Sequence, residues 1–194
     1  MFSPDDLDFD AAVLGQRLPV AVEAALTEAG AHRSDAVRAM AALMRAQALA
    51  PEHPAVLIAL YRHHFYGHRL ALARDVARRA LRVGAIALGL PECWRDVPRA
   101  ALAGAKDVPA VRFYLFTLKG YAYLSLRLED PVEARDALAL LRHLDPNDCV
   151  GGALIEAVRQ RALLGDLDAD DDAPPAPAVF GAAAWARLAP QPSA

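Results

Sequence analysis

Three histidines near the middle of the chain, His63, His64 and His68, have the spacing of candidate metal ligands. Two histidines four positions apart on one helix share a face, and many zinc sites use this spacing. Here Gly67 precedes His68 and is expected to end the helix, and no third ligand is near in sequence. The histidines are therefore expected on a surface or in a groove, with no metal or other cofactor.

The remaining residue types with chemical reactivity are isolated from one another. Cys93 and Cys149 form no CxxC motif, and Cys93 has only Arg95 as a basic neighbour and is expected to be buried. Cys149 is expected to open a helix without a paired base. Gly151-Gly152 has neither a preceding strand nor the GK[ST] ending of a phosphate loop. No catalytic constellation emerges, so an enzyme or a metal-binding protein is the disfavoured alternative.

The composition favours helices over strands. Of the 194 residues, 55% are hydrophobic, and alanine, the best helix former, supplies much of the excess. No alternating run of β-branched residues is bounded by turns. No apolar stretch has the length of a membrane span, and the acidic start lacks the basic and apolar regions of a secretory signal. We therefore expect an all-α protein of the cytoplasm, with no membrane partner.

Charge divides the chain into three parts. Aspartates crowd an N-terminal segment, residues 1–17, and a tail, residues 166–194, whereas the central part, residues 18–165, is mildly basic within a net charge of −3. This basic excess is too small to predict nucleic-acid binding. The tail is also proline-rich, so it is expected to be disordered apart from a short apolar motif, and its Asp170–Asp172 run is expected to be solvated rather than bound to a cation.

Local signals predict the helix boundaries of the central part. Aspartates are expected to cap three helices, because their side chains accept hydrogen bonds from the free N–H groups of a first turn. Prolines are tolerated in a first turn and are expected to open others. These residues are Asp35, Asp130 and Asp148 for the caps, and Pro54, Pro109 and Pro131 for the prolines. An irregular insertion is expected at about residues 89–108.

Small and apolar residues recur with the period of a helical repeat. One pattern of four positions lies 34 residues further on at its second occurrence (Ala39 to Ala73) and a further 61 at its third (Ala73 to Ala134). The three sets are Ala39, Leu43, Ala46 and Pro51; Ala73, Ala77, Ala80 and Ala85; and Ala134, Leu138, Leu141 and Pro146. The longer interval broadly accommodates the 89–108 insertion. The pattern resembles the tetratricopeptide repeat, a 34-residue helix–turn–helix, and an ordinary alanine-rich bundle is the alternative.

The resemblance implies about three stacked hairpins and a C-terminal capping helix, with the first helix of each hairpin lining a concave groove. Such grooves bind a peptide or protein partner. The implied groove residues are Ile58, Arg62, Phe65 and Tyr66 in the second repeat, and Phe116, Lys119, Tyr123 and Arg127 in the third. Arg62 and Lys119 are both expected to be exposed.

The third repeat leaves two registers open. Gly120 and Tyr123 match the glycine and tyrosine of the family's first helix if the following turn is two residues longer than standard. Otherwise the glycine position falls on Ala122. The longer turn would rotate the helix and expose a different set, namely Tyr114, Tyr121 and Leu124.

Several longer strings, among them ALYRHHFYGHRLALA and LDPNDCVGG, resemble a small bacterial family of tetratricopeptide proteins associated with nitrogen-fixation gene clusters. That resemblance implies a non-enzymatic binding scaffold with an accessory role in nitrogen fixation. A secretion-type chaperone dedicated to one substrate, a class that uses similar repeats, is the alternative.

The tail carries a candidate binding element of its own. Phe180, Trp185 and Leu188 could form one face of a short helix. An apolar motif on an acidic tether has a raised effective concentration beside the mildly basic domain to which it is attached. We expect this motif to dock intramolecularly in the groove or to bind a partner, and a terminus disordered throughout is the alternative.

Overall fold

The part of the chain that the structure describes is entirely helical, as the composition predicts. The structure is a computed structural model that describes residues 18–102 and 108–163, and within these ranges it contains seven α-helices and no strand. The helices are α1 Val20–Ala31, α2 Ala36–Leu49, α3 Pro54–Tyr66, α4 Leu70–Ala87, α5 Pro109–Arg127, α6 Pro131–Leu144 and α7 Gly152–Leu163, and a short 3-10 helix spans Trp94–Asp96. Not one of the described helices combines the length and apolarity that crossing a membrane requires.

Three predictions fall on residues outside the described ranges. They concern the acidic N-terminal segment at 1–17, the acidic and proline-rich tail, and the tail's Phe180, Trp185 and Leu188 motif. Residues 103–107 of the expected insertion also lie outside these ranges. The folded part described below is therefore the central part of the chain.

The capping residues act as predicted. Asp35 Oδ1 accepts hydrogen bonds of 3.1 Å from the backbone N–H groups of Val37 and Arg38 at the start of α2. Asp130 Oδ1 accepts a 3.3 Å bond from the N–H of the third residue of α6. Asp148 Oδ1 accepts a 3.0 Å bond from Ala153 N–H, so this aspartate caps α7 from four residues before its start. Each bond satisfies a donor that the helix itself leaves unpaired.

Consecutive helices pair into hairpins, α1 with α2, α3 with α4 and α5 with α6, and α7 packs on α6 and α5. The first two hairpins repeat with a period of 34 residues, because α1 and α3 begin at positions 20 and 54, and α2 and α4 begin at positions 36 and 70. The expected fold of three hairpins and a capping helix is confirmed as an all-α, repeat-like architecture. The third hairpin follows after the 89–108 insertion.

The turns of the second and third hairpins, residues 67–69 and 128–130, have the same conformation. Each has three residues, and its middle residue lies in the left-handed region, His68 at φ 54° and Glu129 at φ 58°. In each turn the third residue donates its N–H to the carbonyl five residues earlier, at 2.8 and 2.9 Å. The turn after α5 is thus no longer than the turn after α3, and the register that required two extra residues is wrong.

The extra length of the third hairpin lies in its helix instead. α5 has 19 residues and α3 has 13, so α5 is about four-tenths longer although both end in the same turn. Most of the remaining interval is the 89–108 insertion, which precedes α5. The sequence period alone could not divide the extra residues between these two places.

Small side chains form the contacts between helices. Gly84 is an example, because a Cβ atom there would lie 3.2 Å from Cδ2 of Tyr114 and 3.3 Å from Cδ1 of Phe113, across the contact of α4 with α5. The predicted repeat positions are buried in the same way, namely Ala39, Leu43, Ala46, Ala73, Ala77, Ala80, Ala85, Ala134, Leu138 and Leu141. Close packing of this kind holds neighbouring helix axes about 8–10 Å apart.

The described part of the insertion packs on the second helices of the hairpins. The 3-10 helix contacts α4 and α6, and the ring of Trp94 lies 5.9 Å from that of Tyr121. Arg95 forms ion pairs with Glu133 and Asp136 on α6. Trp94 and Val97 point inward, which leaves Cys93 exposed, so its predicted burial is wrong. The contacts of this segment are on the side of α4 and α6.

Replacing Trp94 with alanine should lower the free energy of unfolding by about 3–5 kcal/mol, because the indole is 7% exposed and holds the insertion against the array. The neighbouring Cys93→Ala variant removes an exposed side chain and should change the free energy by less than about 0.5 kcal/mol. Urea denaturation followed by circular dichroism measures both. Equal effects of the two substitutions would contradict the docking of this segment.

Candidate functional site

One face of α3 remains incompletely buried in the folded array. Most of this helix is core, and beyond the first turn its partly or largely accessible side chains are Ile58, Arg62, His63, Phe65 and Tyr66. Tyr66 is the most accessible aromatic of this set, at 63% exposure. Four of the five are the groove residues that the repeat register implies. The face is therefore available to a partner, although α3 is mostly enclosed.

α5 has a corresponding open face. Lys119, Tyr123 and Arg127 are half-buried or exposed, at intervals of four residues along one side. The alternative set is core, since Tyr114, Tyr121 and Leu124 are each at most 1% exposed. Its predicted exposure is wrong because these three side chains point toward the neighbouring helices, where α5 is packed on both α4 and α6.

Aromatic rings join the open faces of α3 and α5. The ring of Phe65 lies 6.0 Å from that of Tyr123, 5.5 Å from that of Tyr66, and 5.8 Å from that of Tyr61 beneath it. Arg127 extends this row, because its Nη1 donates a 2.9 Å hydrogen bond to the Tyr123 hydroxyl. We call Phe65, Tyr66, Tyr123 and Arg127 the aromatic face. The structure thus brings four of the seven predicted site residues together, beside the half-buried Arg62.

Phe116 and Lys119 are separate from the aromatic face. Lys119 Nζ donates a 2.5 Å hydrogen bond to the carbonyl of Val150 and lies 4.9 Å from the centre of the Phe116 ring. Burial lowers the pKa of Lys119, and the charge of Asp148 opposes that shift. Lys119 anchors the connection before α7 rather than facing solvent, so its predicted exposure is wrong. Phe116 is only 5% exposed. The repeat register could not predict this, since the path of the connection depends on the capping helix.

The histidines at the end of α3 are occupied by local contacts. Arg69 donates to Nε2 of His63, which requires that nitrogen to be unprotonated. Burial lowers the pKa values of His63 and His64, and the charge of Arg69 lowers them further. His68 lies beyond α3, in the turn, as expected from Gly67. No group of three or more potential metal ligands occurs within residues 18–102 and 108–163.

An open cleft of about 590 Å³ lies between α6 and α7. Its charged side chains bind one another, since Glu156 accepts hydrogen bonds of 2.7 and 2.8 Å from Arg159 and Arg135 pairs with Asp136. Arg135 and Gln160 both line the cleft, so the end of α7 lies beside the start of α6. The two helices are therefore antiparallel.

The histidine contacts predict a pH dependence of stability. Because the folded-state pKa values of His63 and His64 lie below 6.5, the unfolded chain binds more protons below that pH. The melting temperature should fall as the pH drops through 6.5 and level off below the folded-state values. A His64→Leu variant should show a shallower fall, and His143→Gln, on the exposed side of α6, should retain the wild-type slope. Calorimetry between pH 5 and pH 8 checks this, and a wild-type slope in His64→Leu would contradict the assignment.

The comparisons with known proteins bear on the family. No protein-family model matches the chain, and no solved structure matches it. A relative from Azotobacter chroococcum mcd 1, described as an uncharacterized 19.8 kDa protein in the nifW 5' region, is 37% identical over 150 residues, which cover 76% of this chain and 84% of the relative. The chain belongs to the same family as that protein. A match covering three-quarters of the chain necessarily includes the aromatic face, which lies between residues 65 and 127. Membership of the tetratricopeptide family stays a prediction.

Proposed function

We propose that this chain is a non-enzymatic scaffold of the cytoplasm that binds a peptide or protein partner across the aromatic face. The observation that carries the proposal is the continuous row from Phe65 and Tyr66 on α3 to Tyr123 and Arg127 on α5. Two helices from different hairpins contribute to it. Such a surface depends on the stacking of the array and can contact an extended segment or a helix along its length.

The residue types of the aromatic face suit protein recognition. Tyrosine and arginine are enriched among the residues that dominate binding energies, because they bury a large area while keeping a polar group for hydrogen bonding. Tyr66 offers a largely exposed ring. Arg127 uses one donor on Tyr123, and a guanidinium has further donors for a carboxylate or a carbonyl. The same residues offer no nucleophile and no acid–base pair.

The family relation supports a process for this scaffold. The name of the Azotobacter protein places it in the 5' region of nifW, and nif genes serve nitrogen fixation. We therefore extend the proposal to an accessory role in nitrogen fixation, in which the aromatic face binds a protein of that process. A dedicated secretion chaperone would instead bind one exported, aggregation-prone substrate.

Affinity capture from a lysate of the native host, grown with and without fixed nitrogen, tests the proposal. The double variant Tyr66→Ala/Arg127→Glu should retain its partner at least about tenfold less than wild type, corresponding to about 1.4 kcal/mol or more. Both side chains are exposed, so the fold should survive, as circular dichroism would show. Mass spectrometry identifies the captured protein.

The control is Arg99→Glu, which reverses an exposed charge in the insertion, away from the aromatic face. This variant should capture the partner as wild type does. Equal capture by wild type and the double variant would show that the aromatic face is not the binding surface. Capture of an exported protein alone would favour the chaperone function.

A further inference from the structure

The arginines beside the aromatic face differ from the other arginines of the array in their pairing. Within residues 18–102 and 108–163, eight arginines elsewhere form ion pairs with carboxylates, namely Arg38, Arg45, Arg74, Arg78, Arg82, Arg95, Arg135 and Arg159. Arg127 instead contacts Tyr123, and Arg69 contacts His63. Neither of these two forms an ion pair with a described carboxylate. The aromatic face therefore has positive charge that the described part of the chain does not neutralise.

The described chain ends close to this face. α6 begins after the three-residue turn that follows Arg127, and the end of α7 lies beside the start of α6. Leu163, the last described residue, is thus at the same end of the array as Arg127. Phe65 and Tyr66 are also at this end, because Phe65 contacts Tyr123. Two steps between neighbouring helices, α7 to α5 and α5 to α3, amount to about 20 Å.

The residues after Leu163 have a matching chemistry and a sufficient length. The aspartates at 166, 168 and 170–172 supply the charge that Arg69 and Arg127 lack, and they are followed by Phe180, Trp185 and Leu188. An extended chain covers about 3.3–3.6 Å per residue, so the stretch from 163 to 180 can reach about 55 Å. The apolar motif can therefore reach the aromatic face without any change in the array.

We propose that the segment containing Phe180, Trp185 and Leu188 binds the aromatic face of its own chain, with the preceding aspartates beside Arg69 and Arg127. This rests on the proposed function, because the segment then competes with the partner for the same surface. A tether of this length gives an effective concentration of about 1 mM. A segment with a Kd of about 100 µM would occupy the face in about nine-tenths of the molecules and weaken partner binding about tenfold.

Fluorine NMR on the full chain labelled with 5-fluorotryptophan tests the proposal. The chain has two tryptophans, Trp94 and Trp185, and the Trp185→Phe variant assigns their resonances. In wild type the Trp185 resonance should differ from that of a synthetic peptide of residues 176–190. In Tyr66→Ala/Arg127→Glu it should move to the peptide position, and in the control Arg99→Glu it should not move.

Three results would overturn the proposal. The first is a wild-type Trp185 resonance at the position of the free peptide. The second is a shifted resonance that the double variant does not move, since the segment would then dock elsewhere. The third is a resonance that returns to the peptide position on dilution, which would mean that a second copy supplies the segment.

Partner capture separates this proposal from the proposed function. Deleting residues 173–194 should increase the affinity for the captured partner about tenfold if the segment competes. If Trp185 is free while capture still depends on Tyr66 and Arg127, the intramolecular contact is wrong and the proposed function stands. If Trp185 docks on the face but no partner depends on that face, the intramolecular contact stands and the proposed function is wrong.

Discussion

The close approach of helices across small side chains is the constraint on which the rest of the structure depends. A Cβ atom on Gly84 would press on the rings of Phe113 and Tyr114, and the alanines of α2, α4 and α6 are buried in comparable contacts. Because small residues occupy these positions, the large side chains of α3 and α5 need not all be used between hairpins. Some of them, such as Tyr66 and Tyr123, are left at the surface in a row that the array holds in place.

The insertion and the capping helix complete the array on different sides. Trp94 and Arg95 dock the insertion on the second helices, and Lys119 holds the connection before α7 through the carbonyl of Val150. A lysine ammonium is costly to bury without a partner, so this bond is part of the structure rather than a reserve for binding. The contacts of both elements with the array are made by side chains other than the four of the aromatic face.

The features that the sequence predicts well are local ones. Asp35 and Asp130 cap helices because their side chains reach N–H groups two or three residues away, which sequence spacing alone determines. The burial of Ala73 and Ala134 follows from the helical period. The exposure of Cys93 and the anchoring of Lys119 depend on where distant segments meet, so spacing could not predict either. The register of α5 required its turn, whose conformation matches the turn after α3 and is not encoded by a glycine in either case.

The uneven pairing of the arginines also has a kinetic consequence. Ion pairs such as Arg74 with Asp130 act as dipoles, whose fields decay quickly with distance and within a Debye length of about 8 Å at physiological salt. The fields of Arg69 and Arg127 are not cancelled in this way. An acidic segment approaching by diffusion is therefore drawn to one end of the molecule, so encounter is directed even though the whole chain has a net charge of −3.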